Sequence, residues 1–348
     1  MTSTDSQEKP GPRAVIFGCA GLSLSPSERS FFTETGPAGF ILFQRNCQDP
    51  DQVRGLVDAM RDCAGGNDAL VLIDQEGGRV ARLRPPNWRV PPAGSQFAAL
   101  YAANPDDARQ AAFLNARLIA HELTALGINA DCLPVLDIPV AGADPIIGDR
   151  ALGQTADQIA DLGGAMCDGL MAGGVLPVIK HIPGHGRALV DSHKALPRVD
   201  ASLAELETTD FAPFRALAHM PLAMTAHVIY NAVDDEAPVT LSAVATLALI
   251  REIIGFEGLL LSDDLSMQAL SGGLGERGAG AIEAGCDIAL HCNGEPDEME
   301  AVAEAVPHLS APAAMRLQSA LDRIQAVNQS QDLDAAAGYA RLDEYLGL

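Results

Sequence analysis

Short aliphatic runs recur along the chain, and a stretch with helical periodicity follows most of them. Runs of this length without a polar face are typical of strands buried on both faces of a parallel sheet. The predicted strands are Ala14–Gly18, Gly39–Phe43, Ala69–Ile73, Ala130–Leu136, Leu176–Ile179, Leu222–Ala226, Gly258–Leu261 and Ile288–Leu290. The predicted helices are Pro50–Cys63, Pro105–Leu126, Thr155–Met171, Ser202–Ala218, Ser242–Ile254 and, interrupted by glycines, Met267–Ala284.

The repeated strand-and-helix pattern predicts an α/β barrel. Strands that alternate with helices pair in parallel, and eight such strands close into a barrel. An open doubly wound sheet is the alternative, but no Gly-x-Gly-x-x-Gly turn follows the first strand. We therefore expect a single-domain (β/α)8 TIM-like barrel over residues 1–348, with residues 1–12 flexible. Its active site should lie at the C-terminal ends of the strands.

Composition narrows the range of partners. A formal net charge of -23 argues against nucleic acid or an anionic membrane surface. No apolar run approaches the roughly 20 residues of a membrane helix, and no signal peptide is evident. Seven cysteines without paired spacing favour a reducing compartment. We expect a cytoplasmic monomer that acts on a small molecule and needs neither a metal nor another cofactor.

Polar residues lie where the predicted strands end. In a closed barrel these ends meet on one face, so residues distant in sequence become neighbours. A helix cap would explain any one of them, but it does not explain six of eight strands. The pattern therefore predicts a pocket rich in carboxylates and histidines, formed by Asp74, Asp137, Lys180-His181, His227, Asp263-Asp264 and His291.

Several classes of hydrolytic chemistry lack their sequence signatures. No His-x-His follows the first strand, and His121 does not begin a His-Glu-x-x-His motif. His181 and His185 are separated by proline and glycine, so they cannot hold a metal from one helical face. A Gly-x-Ser-x-Gly elbow is also missing. A carboxylate nucleophile with a separate proton donor, as in a retaining glycosidase, fits the residues best.

The segment 180–193 carries the clearest candidate for proton transfer. Lys180 and His181 end a buried strand, and a glycine-rich loop follows them. Asp191 precedes His193 by two residues, so its carboxylate can orient one ring nitrogen and leave the other free. This arrangement indicates an enzyme.

Four motifs in order resemble glycoside hydrolase family 3, in its β-N-acetylhexosaminidase branch, over nearly the whole chain. One departure is Ile182, where the family more often has phenylalanine; we expect altered packing there but intact chemistry. The motifs are Asp74-Gln75-Glu76-Gly77-Gly78-Arg79-Val80, Lys180-His181-Ile182-Pro183-Gly184-His185-Gly186, Asp191-Ser192-His193 and Ser262-Asp263-Asp264-Leu265-Ser266-Met267.

The resemblance implies a role for individual residues. Asp263 corresponds to the catalytic nucleophile, while the adjacent Asp264 better suits a helix N-cap. His193 corresponds to the general acid/base, with Asp191 as its partner. The implied substrate-binding residues are Asp74, Arg82, Arg150, Lys180 and His181.

The resemblance also implies a substrate. We expect retaining hydrolysis of terminal, non-reducing N-acetylglucosamine from peptidoglycan fragments in cell-wall recycling. The fragment would be N-acetylglucosaminyl-1,6-anhydromuramic acid, with or without peptide. A family 3 β-glucosidase or β-xylosidase is the alternative enzyme, and a non-catalytic sugar-binding barrel is the alternative from another class. Some phosphorolysis also stays open, since a neutral imidazole base would not repel an anionic acceptor.

Overall fold

Eight parallel strands close on themselves in a computed structural model that describes residues 11–66, 69–325, 327 and 333–348. Neighbouring strands follow chain order around the barrel, and the first strand pairs with both the second and the last. The predicted (β/α)8 barrel is confirmed. Most of the N-terminal segment expected to be flexible, residues 1–10, lies outside the described residues.

Among the described residues, eight of ten strands form the barrel, and two short strands, β6 and β8, pair with each other outside it. The strands are β1 Arg13–Phe17, β2 Pro37–Leu42, β3 Leu70–Ile73, β4 Ala130–Asp131, β5 Leu176–Ile182, β6 Arg198–Val199, β7 Leu222–Thr225, β8 Ile229–Tyr230, β9 Leu259–Asp264 and β10 Ile288–His291.

Helices surround the barrel on its outer side. They are α1 Pro26–Thr35, α2 Pro50–Ala64, α3 Gly94–Ala103, α4 Pro105–Thr124, α5 Ala156–Ala172, α6 Leu203–Thr208, α7 Ala212–Ala216, α8 Ala243–Ala245, α9 Leu274–Glu283, α10 Pro296–Ala305, α11 Ala311–Gln325 and α12 Ala335–Leu346. Helix α8 continues as a π-helix over Thr246–Ile254, and single 3-10 turns occur at Gln44–Asn46, Gly148–Arg150 and Val239–Leu241. None of the helices among the described residues is both long enough and apolar enough to span a membrane.

Three predicted strands end at least three residues away from the observed ends, and one of them, the seventh, continues past Leu261 to Asp264. The fourth ends at Asp131 rather than Leu136, because Pro134 has no N–H to give to a neighbouring strand. The fifth continues past Ile179 to Ile182, so Lys180 and His181 belong to the strand itself. Their backbone is consequently held by the sheet.

Two predicted helices also begin or break differently. The predicted helix Ser202–Ala218 is divided into α6 and α7, and Pro213 lies in the first turn of the second. The predicted helix Met267–Ala284 begins only at Leu274, after two glycines, of which Gly272 has a φ of 86°. Helices α1, α3 and α10 are absent from the prediction, whereas the closing helical pattern predicted beyond Ser310 is observed as α11 and α12.

Two apolar layers hold the barrel together. The inner cluster receives side chains from every barrel strand, and α11 adds Leu317 and Leu321 to it. The outer cluster lies between strands and helices, with Phe32 and Phe40 ring centroids 5.1 Å apart. Because side chains alternate along a strand, the inner cluster also shows which residues point toward the barrel axis. Because α11 covers the other end of the barrel, the C-terminal face is where a site can lie.

Candidate active site

Lys180 is the centre of a buried ion-pair network at the mouth of the barrel. It continues the inward alternation of Leu176 and Val178, so its side chain points along the axis. Its Nζ lies 2.8 Å from Asp74 Oδ1 and 2.7 Å from Glu76 Oε1. The side chain is only 3 % exposed, and these two carboxylates are the partners that its charge requires.

Two arginines complete the network from either side. Arg82 donates to Asp74 Oδ2 at 2.9 Å, and Arg150 binds Glu76 through two parallel bonds of 2.7 Å each. Such bidentate pairs fix the carboxylate as well as neutralise it. The three cations exceed the two carboxylates by one charge. The sequence analysis predicted Asp74, Arg82, Arg150 and Lys180 as neighbours, and the structure brings them together.

The pKa values of these groups follow from burial opposed by neighbouring charges. Burial alone would raise the pKa of Asp74, but Lys180 and Arg82 outweigh it and hold the pKa below its usual range. Burial acts in the same direction on Glu76, yet Arg150 and Lys180 lower its pKa to about 2. Desolvation would lower the pKa of Lys180, and the two carboxylates raise it instead. All of these groups are therefore ionised at neutral pH.

His181 lies on a buried carboxylate from the neighbouring strand end. Its Nδ1 is 2.7 Å from Asp137 Oδ2, and Asp137 Oδ1 also accepts the His185 N–H at 2.6 Å. Burial opposes ionisation of Asp137, but the two imidazoles and the N–H lower its pKa. Because Nδ1 of His181 is engaged, its Nε2 is the nitrogen left for a ligand.

Asp263 and Asp264 separate as strand alternation requires. Leu259 and Leu261 face the barrel axis and Asp263 continues that row. Asp264 turns away and accepts from the Cys292 N–H at 3.2 Å and the Ser266 hydroxyl at 2.5 Å. Its role is to close the turn after β9, although it does not cap α9.

The surroundings of Asp263 keep its carboxylate ionised. Burial would raise its pKa, but the His227 and His181 rings and the Asp264 N–H lower it. Asp263 Oδ1 accepts the Asp264 N–H at 2.8 Å, and burial lowers the pKa of His227. A half-buried, ionised carboxylate at the barrel mouth is a suitable nucleophile.

Asp191 and His193 form a pair on the loop after β5. Asp191 Oδ1 lies 2.9 Å from His193 Nδ1 and also accepts the His193 backbone N–H at 2.9 Å. Burial raises the pKa of Asp191 less than these two contacts lower it. The His193 side chain is 64 % exposed, so its Nε2 faces open space. Among the described residues, no hydrogen bond or ion pair joins His193 to Asp263.

His291 does not belong to the predicted pocket. Its neighbour Leu290 faces the barrel axis, so His291 points outward. There its ring lies 6.1 Å from that of Phe17, and Nε2 is 2.9 Å from Glu298 Oε2 of α10. The outward direction follows from strand alternation, which the sequence interpretation did not apply to the last strand.

Sequence analysis assigned no role to two acids of the site. Glu76 lies two residues after Asp74 in the same motif. The implied substrate-binding residues include three cations and only one carboxylate, which was a signal that a second carboxylate was required. Asp131 lies beneath the loop after β3, where Oδ1 accepts the Gln75 N–H at 2.9 Å and Oδ2 has no partner among the described residues. Burial raises the pKa of Asp131 to about 8.

In the described part of the chain, no three His, Cys, Asp or Glu side chains are arranged to hold a metal.

Comparison with known proteins gives a family for this arrangement. Residues 20–327 match the model of the glycosyl hydrolase family 3 N terminal domain. A beta-hexosaminidase from Alkalilimnicola ehrlichii is 39% identical over 307 residues, which are 87% of each chain. A beta-hexosaminidase from Neisseria meningitidis serogroup B is 35% identical and covers 93% of this chain and 92% of its own.

Solved structures of similar proteins support the same family. Native NagZ from Neisseria gonorrhoeae superposes with a TM-score of 0.86 at 32% identity, covering 97% of this chain and 98% of its own. The same protein in complex with N-trifluoroacetyl-D-glucosamine gives a TM-score of 0.85 at the same identity, covering 97% and 99%. This chain belongs to glycosyl hydrolase family 3, which confirms the family and the glycosidase class that its motifs predicted.

Proposed function

We propose that this protein is a retaining β-N-acetylglucosaminidase that removes terminal, non-reducing N-acetylglucosamine. The observation that carries the proposal is the pairing of a half-buried, ionised Asp263 with a separate Asp191–His193 pair on a loop after β5. The names of the relatives, beta-hexosaminidase, support the sugar, and the bound N-trifluoroacetyl-D-glucosamine of the Neisseria gonorrhoeae protein supports the acetamido group.

In the proposed mechanism, Asp263 attacks the anomeric carbon while His193 Nε2 protonates the departing oxygen. A covalent glycosyl-enzyme forms on Asp263, and the leaving group departs as an alcohol. His193, now neutral, takes a proton from water, which attacks the same carbon and releases the sugar with its original configuration. Asp191 stabilises the cationic imidazole through Nδ1 in the first step.

The buried network is proposed to hold the sugar rather than to react. Asp74, Lys180 and Arg82 offer an acceptor and donors to ring hydroxyls, and His181 offers Nε2. Arg150 acts mainly through Glu76, because both oxygens of that carboxylate already accept its N–H groups. Lys180, Arg82 and Arg150 supply local positive charge in a protein of net charge -23, which suits a substrate with an anionic aglycone.

The proposed substrate is a peptidoglycan fragment, N-acetylglucosaminyl-1,6-anhydromuramic acid with or without its peptide. We propose that the protein acts on it as a monomer with one catalytic domain in the cytoplasm, during cell-wall recycling. The seven free thiols fit a reducing compartment. The acid side chain of the muramic moiety would meet the cationic side of the site.

Product analysis tests the proposal. Purified protein is incubated with N-acetylglucosaminyl-1,6-anhydromuramic acid, and the anomeric protons are followed by NMR. We expect β-N-acetylglucosamine as the first product, before mutarotation. Matched 4-nitrophenyl glycosides of N-acetylglucosamine, glucose and xylose separate the branch from β-glucosidase or β-xylosidase activity. Release of the α-anomer first, or preference for glucose or xylose, would contradict the proposal.

A further inference from the structure

The loop between β5 and β6 begins with a firmly held half. The Tyr230 hydroxyl donates to the Gly184 carbonyl, and Arg187 donates to Asp210 at 2.7 Å. Gly186 packs so closely on the backbone of Ile138 that an added Cβ would overlap its carbonyl oxygen. Residues 184–187 are therefore fixed against three separate parts of the chain.

The tip of the same loop is exposed. Leu189 is 68% exposed and Val190 is 38% exposed, although both are apolar. The chain thus runs through solvent immediately before Asp191. A segment that leaves the protein surface in this way needs a contact on its return if His193 is to occupy one position.

Ser192 supplies that contact. It lies between Asp191 and the exposed His193, yet it is only 3% exposed. Its hydroxyl is 3.0 Å from His185 Nε2, and its carbonyl accepts the Ala269 N–H at 3.1 Å. The first bond reaches back to the fixed half of the loop, and the second reaches the segment that follows Asp263.

His185 is built to receive Ser192 without entering the reaction. Its ring is 4% exposed, and its backbone N–H is held by Asp137. Burial and the neighbouring His181 lower the pKa of His185 to about 4, so the ring is neutral at physiological pH. A neutral ring can bond the serine hydroxyl in either tautomer, and it adds no charge beside Asp263.

We propose that His185 and Ser192 are positioning residues that latch the Asp191–His193 pair at the mouth of the barrel. Asp191 and His193 contact each other, but this contact orients the ring only relative to its own loop. The hydroxyl–imidazole bond then orients that loop relative to the barrel. The proposal rests on the proposed function for its catalytic consequence, while the latch itself is a property of the fold.

Leaving-group dependence distinguishes positioning from a general structural effect. A 4-nitrophenyl group departs as a stable phenolate with little need of an acid, whereas a sugar alcohol must be protonated. In Ser192→Ala, kcat/KM for the disaccharide should fall about 10-fold or more, since a displaced acid protonates poorly. For the 4-nitrophenyl glycoside, kcat/KM should change less than about 2-fold. Equal losses on both substrates would overturn the proposal.

A double-mutant cycle tests whether the two residues act together. His185→Ala should repeat the selective loss of kcat/KM for the disaccharide. Because both substitutions remove the same bond, kcat/KM of the double variant should be no lower than that of the less active single variant. Ser319→Ala, an exposed serine on α11, is the matched control and should leave both activities unchanged. Losses that multiply in the double variant would contradict a shared latch.

Amide hydrogen exchange provides a readout that needs no substrate. Ser192→Ala should increase exchange in peptides covering residues 189–194 by about 10-fold and leave β5 unchanged. If residues 189–194 of Ser192→Ala exchange at the same rate as in the wild type, the latch is overturned, whatever the activity of the variant. If the wild-type protein hydrolyses no hexosaminide, the proposed function fails, and this exchange measurement still decides the latch.

Discussion

The two halves of the candidate site are built in opposite ways. Lys180 and Glu76 have side chains that are 3 % and 4 % exposed, and each makes at least two ionic contacts. His193 is 64 % exposed and depends on a loop whose return to the barrel passes through one serine. Lys180, His181 and Asp74, among the groups proposed to bind sugar, lie in or next to strand ends, and the group proposed to move protons is carried by a loop.

This difference follows from what each task requires. A buried ion-pair network is stable only when every charge has its partners, so it is preorganised before a ligand arrives. A proton donor that becomes a base in the second step must exchange protons with the leaving group and then with water. Solvent exposure of the loop permits both. The predictions below test whether stability and catalysis divide along the same line.

Asp263→Asn should have the largest effect on activity. An amide cannot form the glycosyl ester, and we expect kcat to fall about 10⁴-fold or more. Steady-state hydrolysis of a 4-nitrophenyl glycoside measures this, with the melting temperature as a check on folding. Asp264→Asn, at the adjacent residue that closes the turn, is the matched variant. If Asp264→Asn removes activity while Asp263→Asn retains it, the two aspartates have been assigned the wrong way round.

His193→Ala should reduce activity without affecting stability. We expect turnover of the disaccharide to fall about 10²- to 10⁴-fold, the range for loss of a general acid/base. Because the side chain is exposed, the free energy of unfolding should change by less than about 0.5 kcal/mol. Urea unfolding and disaccharide kinetics on the same preparation test both parts. A large stability loss would mean that the loop belongs to the folding core.

Glu76→Gln, unlike His193→Ala, should reduce stability. Removing one charge from a buried network leaves Lys180 and Arg150 under-compensated, and we expect a loss of about 3 kcal/mol in urea unfolding. The matched control, Glu300→Gln on the exposed face of α10, should change stability by less than about 0.5 kcal/mol.

The pH dependence of Glu76→Gln has a defined sign. Glu76 has a pKa of about 2 in the folded protein and 4.5 as its ordinary value, so its contribution is present above pH 4.5. That contribution is lost as the pH falls toward 2, and the difference between variant and wild type should shrink over the same window. A constant difference would show that packing, rather than charge, explains the loss.

Asp131→Asn should change stability with the opposite sign. Its pKa is about 8 in the folded protein against 3.8 ordinarily, so stability that is present below pH 3.8 is lost as the pH rises toward 8. The variant, which cannot ionise, should gain about 6 °C in melting temperature over wild type between pH 5 and pH 8. Thermal scans at the two pH values test this. If the difference in melting temperature between variant and wild type is the same at both pH values, the pKa of Asp131 is not raised in the folded protein.

Sequence reasoning predicted the barrel and the strand-end residues because both depend on short-range patterns. It was less successful where backbone chemistry intervened, as at Pro134, which ends the fourth strand early. It also included His291 in the pocket, because a strand end was considered without the direction of its side chain. Glu76 forms ion pairs with Arg150 and Lys180, which are distant in sequence, and the Ser192–His185 bond forms within one irregular loop, so periodicity alone could predict neither.

The central claim is that Asp263 forms a covalent bond to the sugar, and trapping that intermediate tests it most directly. The protein is incubated with a 5-fluoro derivative of an N-acetylglucosaminyl donor, digested, and sequenced by mass spectrometry. The account predicts one added sugar on the peptide that contains Asp263, with the modification at that side chain. Modification of Asp264, Asp74 or another residue in place of Asp263 would contradict it.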